Sequence, residues 1–378
     1  MFIDPEIKQL LKNFLYKNFL FYFEGKYKYD GTRFLHLFLS LVNYCSMKCK
    51  MCHHYILPEP EHQILTLDNF IKLADNVFPY VKEIAFSPTV ESLEHPDFSK
   101  ILELTNKKYN IPDIFIMSNL NLLNEEHAEC IVENNVKHIQ VSFDSYKPEI
   151  YKWIKTNGNV DKVIDNIKKI NFYKMKYGKL RPEIHFNFVI MKKTVENYDE
   201  NYMKLAAELK IKVIHLWHIQ INKKASEVLN ESMWNYKKEY NEFYDKVVSD
   251  AKKYSIDIFR IPDKFDEEDK YENHNLLNEN RLPLRKCSFP WHKIQAYPNG
   301  EFTPCEFWYN EMPWGNLIKN DFFKIWNSAG YRKLRWEIIT NNLSRYCCKN
   351  CVSMSDLKGR TNCKSAFRNI DTEKTDPK

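Results

Sequence analysis

The chemistry open to this chain starts with three cysteines, in the stretch Cys45-Ser-Met-Lys-Cys49-Lys-Met-Cys52. Spacings of four and three place three thiols on one short loop, a soft donor set suited to iron–sulfur or zinc. An iron–sulfur cubane takes one cysteine per iron. The next cysteine is Cys130, so three ligands would leave one iron open to a small molecule. Two alternatives stand beside this on the residues alone. Zinc asks for four ligands, and His53 or His54 can supply one. A disulfide belongs to an oxidising compartment, which a chain without a secretion signal does not suggest.

A second set of cysteines lies after residue 286: Cys287, Cys305, Cys347, Cys348, Cys351 and Cys363. Asn299-Gly300 is a hairpin signal, and a hairpin there brings Cys287 and Cys305 together on paired strands. Cys348 and Cys351 supply a C-x2-C pair. A hairpin plus C-x2-C is also a zinc-ribbon pattern.

The elements that must position these groups can be read from hydrophobic patterning. Phe34 to Val42 is a short apolar run and reads as a strand buried on both faces. The cysteine loop then sits at the strand's C-terminal end, where β/α sheets and barrels place their chemistry. Further strands read at Val81–Ser87, Ile114–Ser118, His138–Phe143, Glu183–Met191 and Val213–Ile219. Helical stretches alternate with them at Thr66–Asn76, Phe98–Lys107, Asn124–Asn134, Val160–Tyr177 and Glu196–Leu209, and Thr66 and Asn124 are plausible N-caps. Six βα units argue for an α/β chain whose parallel sheet curls into an open barrel. Ser226 to Tyr254 reads as one long amphipathic helix, and the charged, Asn-rich stretch Asp263 to Glu279 as a mobile linker.

Taken in order, these motifs resemble the radical S-adenosylmethionine (SAM) superfamily from about residue 35 to 355. The C-x3-C-x2-C loop follows the first strand. Glu91-Ser-Leu-Glu-His95-Pro-Asp-Phe98 is similar to the family's second-strand loop, although Thr89 and Val90 replace both of its glycines and Ser92 its proline. Met117-Ser-Asn-Leu120 and Val141-Ser-Phe-Asp-Ser145 stand where the family has its third- and fourth-strand motifs. Gly300-x4-Cys305, Gly315-Asn-Leu317, Ile325-Trp-Asn-Ser328 and Cys347-Cys-Lys-Asn-Cys351 resemble its C-terminal SPASM or "twitch" extensions.

The resemblance implies a partial (β/α)6 barrel with a small C-terminal iron–sulfur domain. It implies that Cys45, Cys49 and Cys52 hold a [4Fe–4S] cluster whose open iron binds SAM, and that one electron then cleaves SAM to a 5′-deoxyadenosyl radical. Met51, Glu91, Ser118, Asn119, Ser142 and Asp144 are the implied SAM contacts, with Glu91 on the ammonium and Asp144 toward the substrate. Cys287, Cys305, Cys348 and Cys351 match the four ligands of one auxiliary [4Fe–4S] cluster, which Cys347 or Cys363 could join by replacing one of them. The rings of His215 and His218 could line a substrate pocket, but an aromatic strand end is more often core.

Composition bounds the rest. Net charge is only +6 with the basic residues dispersed, so no nucleic-acid surface is indicated. Every apolar run is broken before it could span a bilayer. The helical stretch Ile7–Phe23 is expected to pack on its own domain rather than on a membrane surface. The glycine count is 8, about a third of the usual ~7% of residues, consistent with eroded glycine motifs. Ten cysteines without a signal sequence suggest the reducing cytoplasm. The expected organisation is a helical extension (1–33), the core barrel (34–225), a helix and linker (226–285), the auxiliary domain (286–365) and a tail (366–378).

The expected function is hydrogen-atom abstraction from a small molecule, such as a sugar or aminosugar, with the auxiliary cluster relaying an electron and a flavodoxin or ferredoxin as reductant. The rival is peptide modification by thioether formation, crosslinking or epimerisation. Many such relatives begin with a leader-binding winged helix, for which there is no room before residue 34. As an epimerase the chain would need a hydrogen-atom donor, with Cys130, Cys347 or Cys363 as candidates. A non-catalytic iron–sulfur or zinc protein is the remaining alternative.

Overall fold

The computed structural model describes residues 31–52, 61–86, 89–219, 226–265, 287–306, 308, 311–340 and 342–349. The helix expected at Ile7–Phe23 and most of the linker expected from Asp263 to Glu279 lie outside these residues. Ten strands form one sheet in the order β10-β9-β8-β1-β2-β3-β4-β5-β6-β7. They are β1 (Leu35–Leu39), β2 (Val81–Phe86), β3 (Asp113–Ser118), β4 (His138–Ser142), β5 (Glu183–Ile190), β6 (Val213–His218), β7 (Asp257–Arg260), β8 (Lys293–Ala296), β9 (Glu301–Thr303) and β10 (Gly315–Asn316). β1 to β7 pair in parallel, β8 joins the other side of β1 in parallel, and β9 and β10 follow antiparallel.

The two faces of the sheet differ in the way period-2 side chains require. On one face Leu35, Leu37, Leu39, Ile84, Ile116, Val141, Phe186 and Leu216 join a single core with the helices. That core includes Phe70 and Leu73 of the helix Leu67–Val77, Ile131 of Glu125–Glu133 and Ile167 of Val160–Lys176. The opposite face carries His36, Phe38, Gln140, Ser142, Asn187 and Trp217, all half-buried. Crossover helices confined to one face are the mark of a sheet curled around the other, as in β/α barrels. Thr66 and Asn124 cap their helices as expected, accepting from the N–H groups of Asn69 and His127 at 3.3 and 2.8 Å.

Two expectations are corrected here. β1 is not buried on both faces, because His36 and Phe38 face the partly open inner side. Nor is Ser226–Tyr254 one helix. Ser226–Val228 and Met233–Asn235 are single tight turns, and the regular helix is Lys237–Lys253. Ser232 starts a new turn by accepting from the Trp234 N–H, the competition with helix that short hydroxyl side chains offer. β7, which periodicity did not reveal, follows and extends the sheet. Its four residues are mostly exposed, so it has no apolar alternation to read. Phe265, inside the expected linker, is 6% exposed and packs on Trp234 and Tyr240.

The C-terminal part is built onto the barrel sheet. Asn299-Gly300 forms the turn of the β8–β9 hairpin, with Gly300 at φ +83°. A Cβ there would also meet Ile318 Cδ1 at 2.5 Å, so glycine is required twice over. Asn76 of the barrel fastens this part by donating to Leu317 O and Asn320 O at 2.7 Å each and accepting from Phe322 N at 3.0 Å. Arg335, 1% exposed, donates to Pro290 O and Trp326 O at 2.9 and 2.8 Å and lies between the Trp326 and Tyr331 rings.

Candidate active site and metal centres

The cysteine loop has little regular structure and is held by its neighbours. Val42 pairs with Ile64, and Leu65 N donates to Leu41 O at 2.9 Å. Cys49 pairs antiparallel with Lys155. Lys50 N donates to Ile154 O at 3.0 Å and Thr156 N to Lys48 O at 3.2 Å. Ser46 N donates to Glu94 Oε1 at 2.7 Å, and Asn157 Nδ2 to Ser46 O at 2.8 Å. Met47 is buried against Gly158, where a Cβ would meet its Cε at 2.9 Å and Tyr151 Cε1 at 2.6 Å. These contacts fix the loop's backbone on both sides of Cys49.

Cys45, Cys49 and Cys52 are half-buried free thiols. Burial pushes the Cys45 thiol up to about 12, and Glu91 and Cys52 push the same way. Burial pushes Cys49 up to about 12 as well, Lys155 opposing and Cys52 and Cys45 adding. An iron–sulfur centre brings the positive charge that holds such groups as thiolates. The donor set fits three corners of a cubane. His53 and His54, which a zinc site would recruit, lie outside the described residues. Among the described residues no three His, Cys, Asp or Glu side chains are grouped to hold a single metal ion.

Beside this loop, three predicted residues come together. Glu91, 3% exposed, accepts from Ser118 Oγ at 3.0 Å on each oxygen, from Asn119 N at 2.8 Å and from Leu93 N at 3.2 Å. Burial raises its pKa from 4.5 to about 7, against the pull of those hydrogen bonds. A carboxylate so placed gains most from a cationic partner. Ser142 is half-buried on the inner face of β4. Met51 packs against a small apolar cluster with Ile150, Ile154, Met191, Ile219 and Val228. Asp144 is committed on both oxygens, Oδ2 to the Lys155 ammonium and Oδ1 to Val189 N at 2.9 Å. His95, 1% exposed, bonds Leu65 O at 2.8 Å and so anchors the Glu91 loop to the cysteine loop's flank.

Sequence reasoning missed Lys155, Asn121 and two of three inner-face histidines. Asn121 donates to Tyr151 Oη at 3.2 Å and accepts from Asn159 N at 2.8 Å, tying the β3 loop to the segment under the cysteines. His138, His185 and His215 stack on adjacent strands with ring centroids 4.7 and 5.4 Å apart. Burial and the neighbouring imidazole of His185 lower His138 to about 3 and His215 to about 4, so both are neutral. The signal available for them was a histidine at an inward position of successive strands. His218 points the other way, into the core beside Tyr240 and Phe265.

In the C-terminal part, Cys287, Cys305, Cys347 and Cys348 share one apolar cluster with Trp291, Trp308, Trp314, Leu334 and Ile338. The Cys347 thiol donates to Cys348 Sγ at 3.9 Å. The expectation that Cys287 and Cys305 lie on the paired strands is corrected: Cys287 precedes β8 and Cys305 follows β9, and both meet Cys347 and Cys348 through this shared cluster. Cys351 and Cys363 lie outside the described residues. An aromatic shell around cysteine side chains fits an iron–sulfur centre, whose potential such a shell controls.

Both regions of the chain are similar to known proteins. Residues 39–206 match the model of the radical SAM superfamily, and residues 287–352 that of the SPASM iron–sulfur cluster-binding domain. GTP 3′,8-cyclase of Clostridium botulinum (strain Okra) is 27% identical over 186 residues, 48% of this chain and 56% of that enzyme. A probable GTP 3′,8-cyclase of Methanocaldococcus jannaschii is 31% identical over 140 residues, 37% of this chain and 46% of that one. The chain thus spans about half the length of the curated relatives it matches. Among solved structures, Streptococcus suis SuiB bound to S-adenosylmethionine superposes with a TM-score of 0.63 at 14% identity, covering 92% of this chain and 78% of SuiB. Native anSMEcpe with bound AdoMet gives 0.60 at 17% identity, covering 87% and 88%. These structures share the fold.

Proposed function

The chain belongs to the radical SAM superfamily and carries a C-terminal SPASM-type iron–sulfur domain, and from that membership we propose that it abstracts a hydrogen atom from a small molecule, in the class of sugars or aminosugars, held against the inner face of the barrel. Its cofactors are a [4Fe–4S] cluster, SAM and an auxiliary iron–sulfur centre. The chemistry they supply when bound is one-electron cleavage of SAM and removal of hydrogen from an unactivated C–H bond.

The chain's own residues do the rest. Cys45, Cys49 and Cys52 hold the first cluster. The Glu91 carboxylate, oriented by Ser118 and the Asn119 N–H, takes the SAM ammonium. Cys287, Cys305 and Cys348, with Cys347 or Cys351, hold the auxiliary centre, which relays an electron. The tryptophans around it keep water away. A flavodoxin or ferredoxin supplies the electron, in the cytoplasm.

The observation that carries the small-molecule reading is the inner face itself. Its C-terminal half presents the half-buried polar side chains of Gln140, Ser142 and Asn187 and the Trp217 indole, whose ring also carries the Arg260 guanidinium at 4.3 Å. Amides and a hydroxyl beside an indole suit the hydroxyls and C–H faces of a neutral sugar. The test is SAM cleavage by the anaerobically reconstituted, dithionite-reduced protein, read as 5′-deoxyadenosine. An ultrafiltered small-molecule extract should accelerate it, while GTP and the retained peptide fraction should not. Acceleration by the peptide fraction alone would establish the maturase reading instead, and by GTP alone the reaction named for the Clostridium relative.

A further inference from the structure

The Asp144–Lys155 pair lies at the joint between the cysteine loop and the barrel. Both residues are 2% exposed. The Lys155 ammonium bonds Asp144 Oδ2 and lies 4.7 Å over the Tyr151 ring. The second carboxylate oxygen is fixed by Val189 N at 2.9 Å, so the pair cannot swing away. The backbone of Lys155 is paired with that of Cys49. A buried cation, bonded to its counter-charge, is thereby carried on the residue whose backbone pairs with one cluster ligand.

We infer that Lys155, positioned by Asp144, sets the electrostatic field at Cys49 and so tunes the reduction potential of the cluster held by Cys45, Cys49 and Cys52. The inference rests on the radical SAM reading of that loop. Burial deprives both charges of water, so the field is little screened. Reduction adds one electron, drawn from dithionite or the physiological reductant, and makes the cluster one unit more negative with no bond made or broken. A nearby cation favours that reduced form, and a nearby anion opposes it. Net charge and hydrogen bonding around the sulfurs are the known levers on such potentials. Lys155 is therefore a positioning and tuning residue, and its effect is present before SAM binds.

The test is an EPR-monitored dithionite titration of the reconstituted, SAM-free holoprotein, following the signal that later SAM addition perturbs. Lys155→Met should shift the midpoint to more negative potential, and Asp144→Asn to more positive. Lys155→Arg should restore the wild-type value. Shifts of the same sign in both variants, or unchanged midpoints with only the SAM-bound spectrum altered, overturn the inference. If Lys155→Met fails to hold iron, the sign of the Asp144→Asn shift decides alone. The absence of any SAM-perturbed signal in the wild type would be the separate failure of the cofactor reading.

Discussion

Replacing Glu91 by glutamine should make the SAM-free protein more stable and less able to bind SAM. Glu91 is fully buried, and burial raises its pKa from 4.5 to about 7. The raised value means that the folded state favours the protonated acid. Below pH 4.5 both folded and unfolded chains carry it protonated, and burial of the charge costs nothing. As pH rises toward 7 the unfolded chain ionises first, and the folded state loses stability. Above about pH 7 the loss is complete, and at roughly 1.4 kcal/mol per unit it amounts to about 3 kcal/mol. The substituted amide would keep the shape of the side chain and carry no charge. Denaturant unfolding of wild type and Glu91→Gln across a pH series should show a gap of about 3 kcal/mol at pH 8, narrowing toward acid. SAM affinity should show the reverse. In the wild type it should rise with pH to about 7, as the carboxylate becomes the counter-ion of the ammonium, and in the variant it should be weak and flat. A variant less stable than wild type at pH 8 would refute the reasoning, because it would mean that the Ser118, Asn119 and Leu93 hydrogen bonds outweigh the cost of the buried charge.

Other consequences can be checked directly. Gly158→Ala places a Cβ within 2.6 Å of Tyr151 and 2.9 Å of Met47, so it should displace the cysteine loop and lower iron occupancy of the first site, with the auxiliary iron retained. Arg335→Met leaves Pro290 O and Trp326 O without a buried donor, a loss of about 3 kcal/mol that denaturant unfolding should report, accompanied by loss of auxiliary iron. His138 and His215 are held neutral by burial well below their ordinary pKa of 6.5. The unfolded chain therefore gains protons first, and stability should fall as pH drops below about 6.5. His138→Phe should flatten that acid limb in thermal unfolding.

How far the sequence revealed the site depended on how local each constraint was. The cysteine loop was legible because ligand chemistry needs those residues at that spacing in one stretch. Glu91 was legible through the tail His95-Pro-Asp-Phe98, and the structure gives that tail a task, with His95 bonded to Leu65 O. The β8–β9 hairpin was legible because Asn299-Gly300 needs a positive φ. Lys155 was not, since a lysine at a helix end reads as solvated, and only the fold brings it to Asp144 and Cys49. The histidine stack was hidden for the same reason, its members being far apart in the chain and joined only by strand register. Ser226–Tyr254 looked like one helix because its apolar spacing persists through Val228 and Met233. Those two residues instead bury into different clusters from separate turns.

The most direct test is iron and acid-labile sulfide per chain after anaerobic reconstitution, in wild type and in the Cys45→Ala/Cys49→Ala/Cys52→Ala variant. Two cubanes predict about eight irons falling to about four. A fall from about four to none would contradict this, leaving the C-terminal cysteines without iron and removing the electron relay.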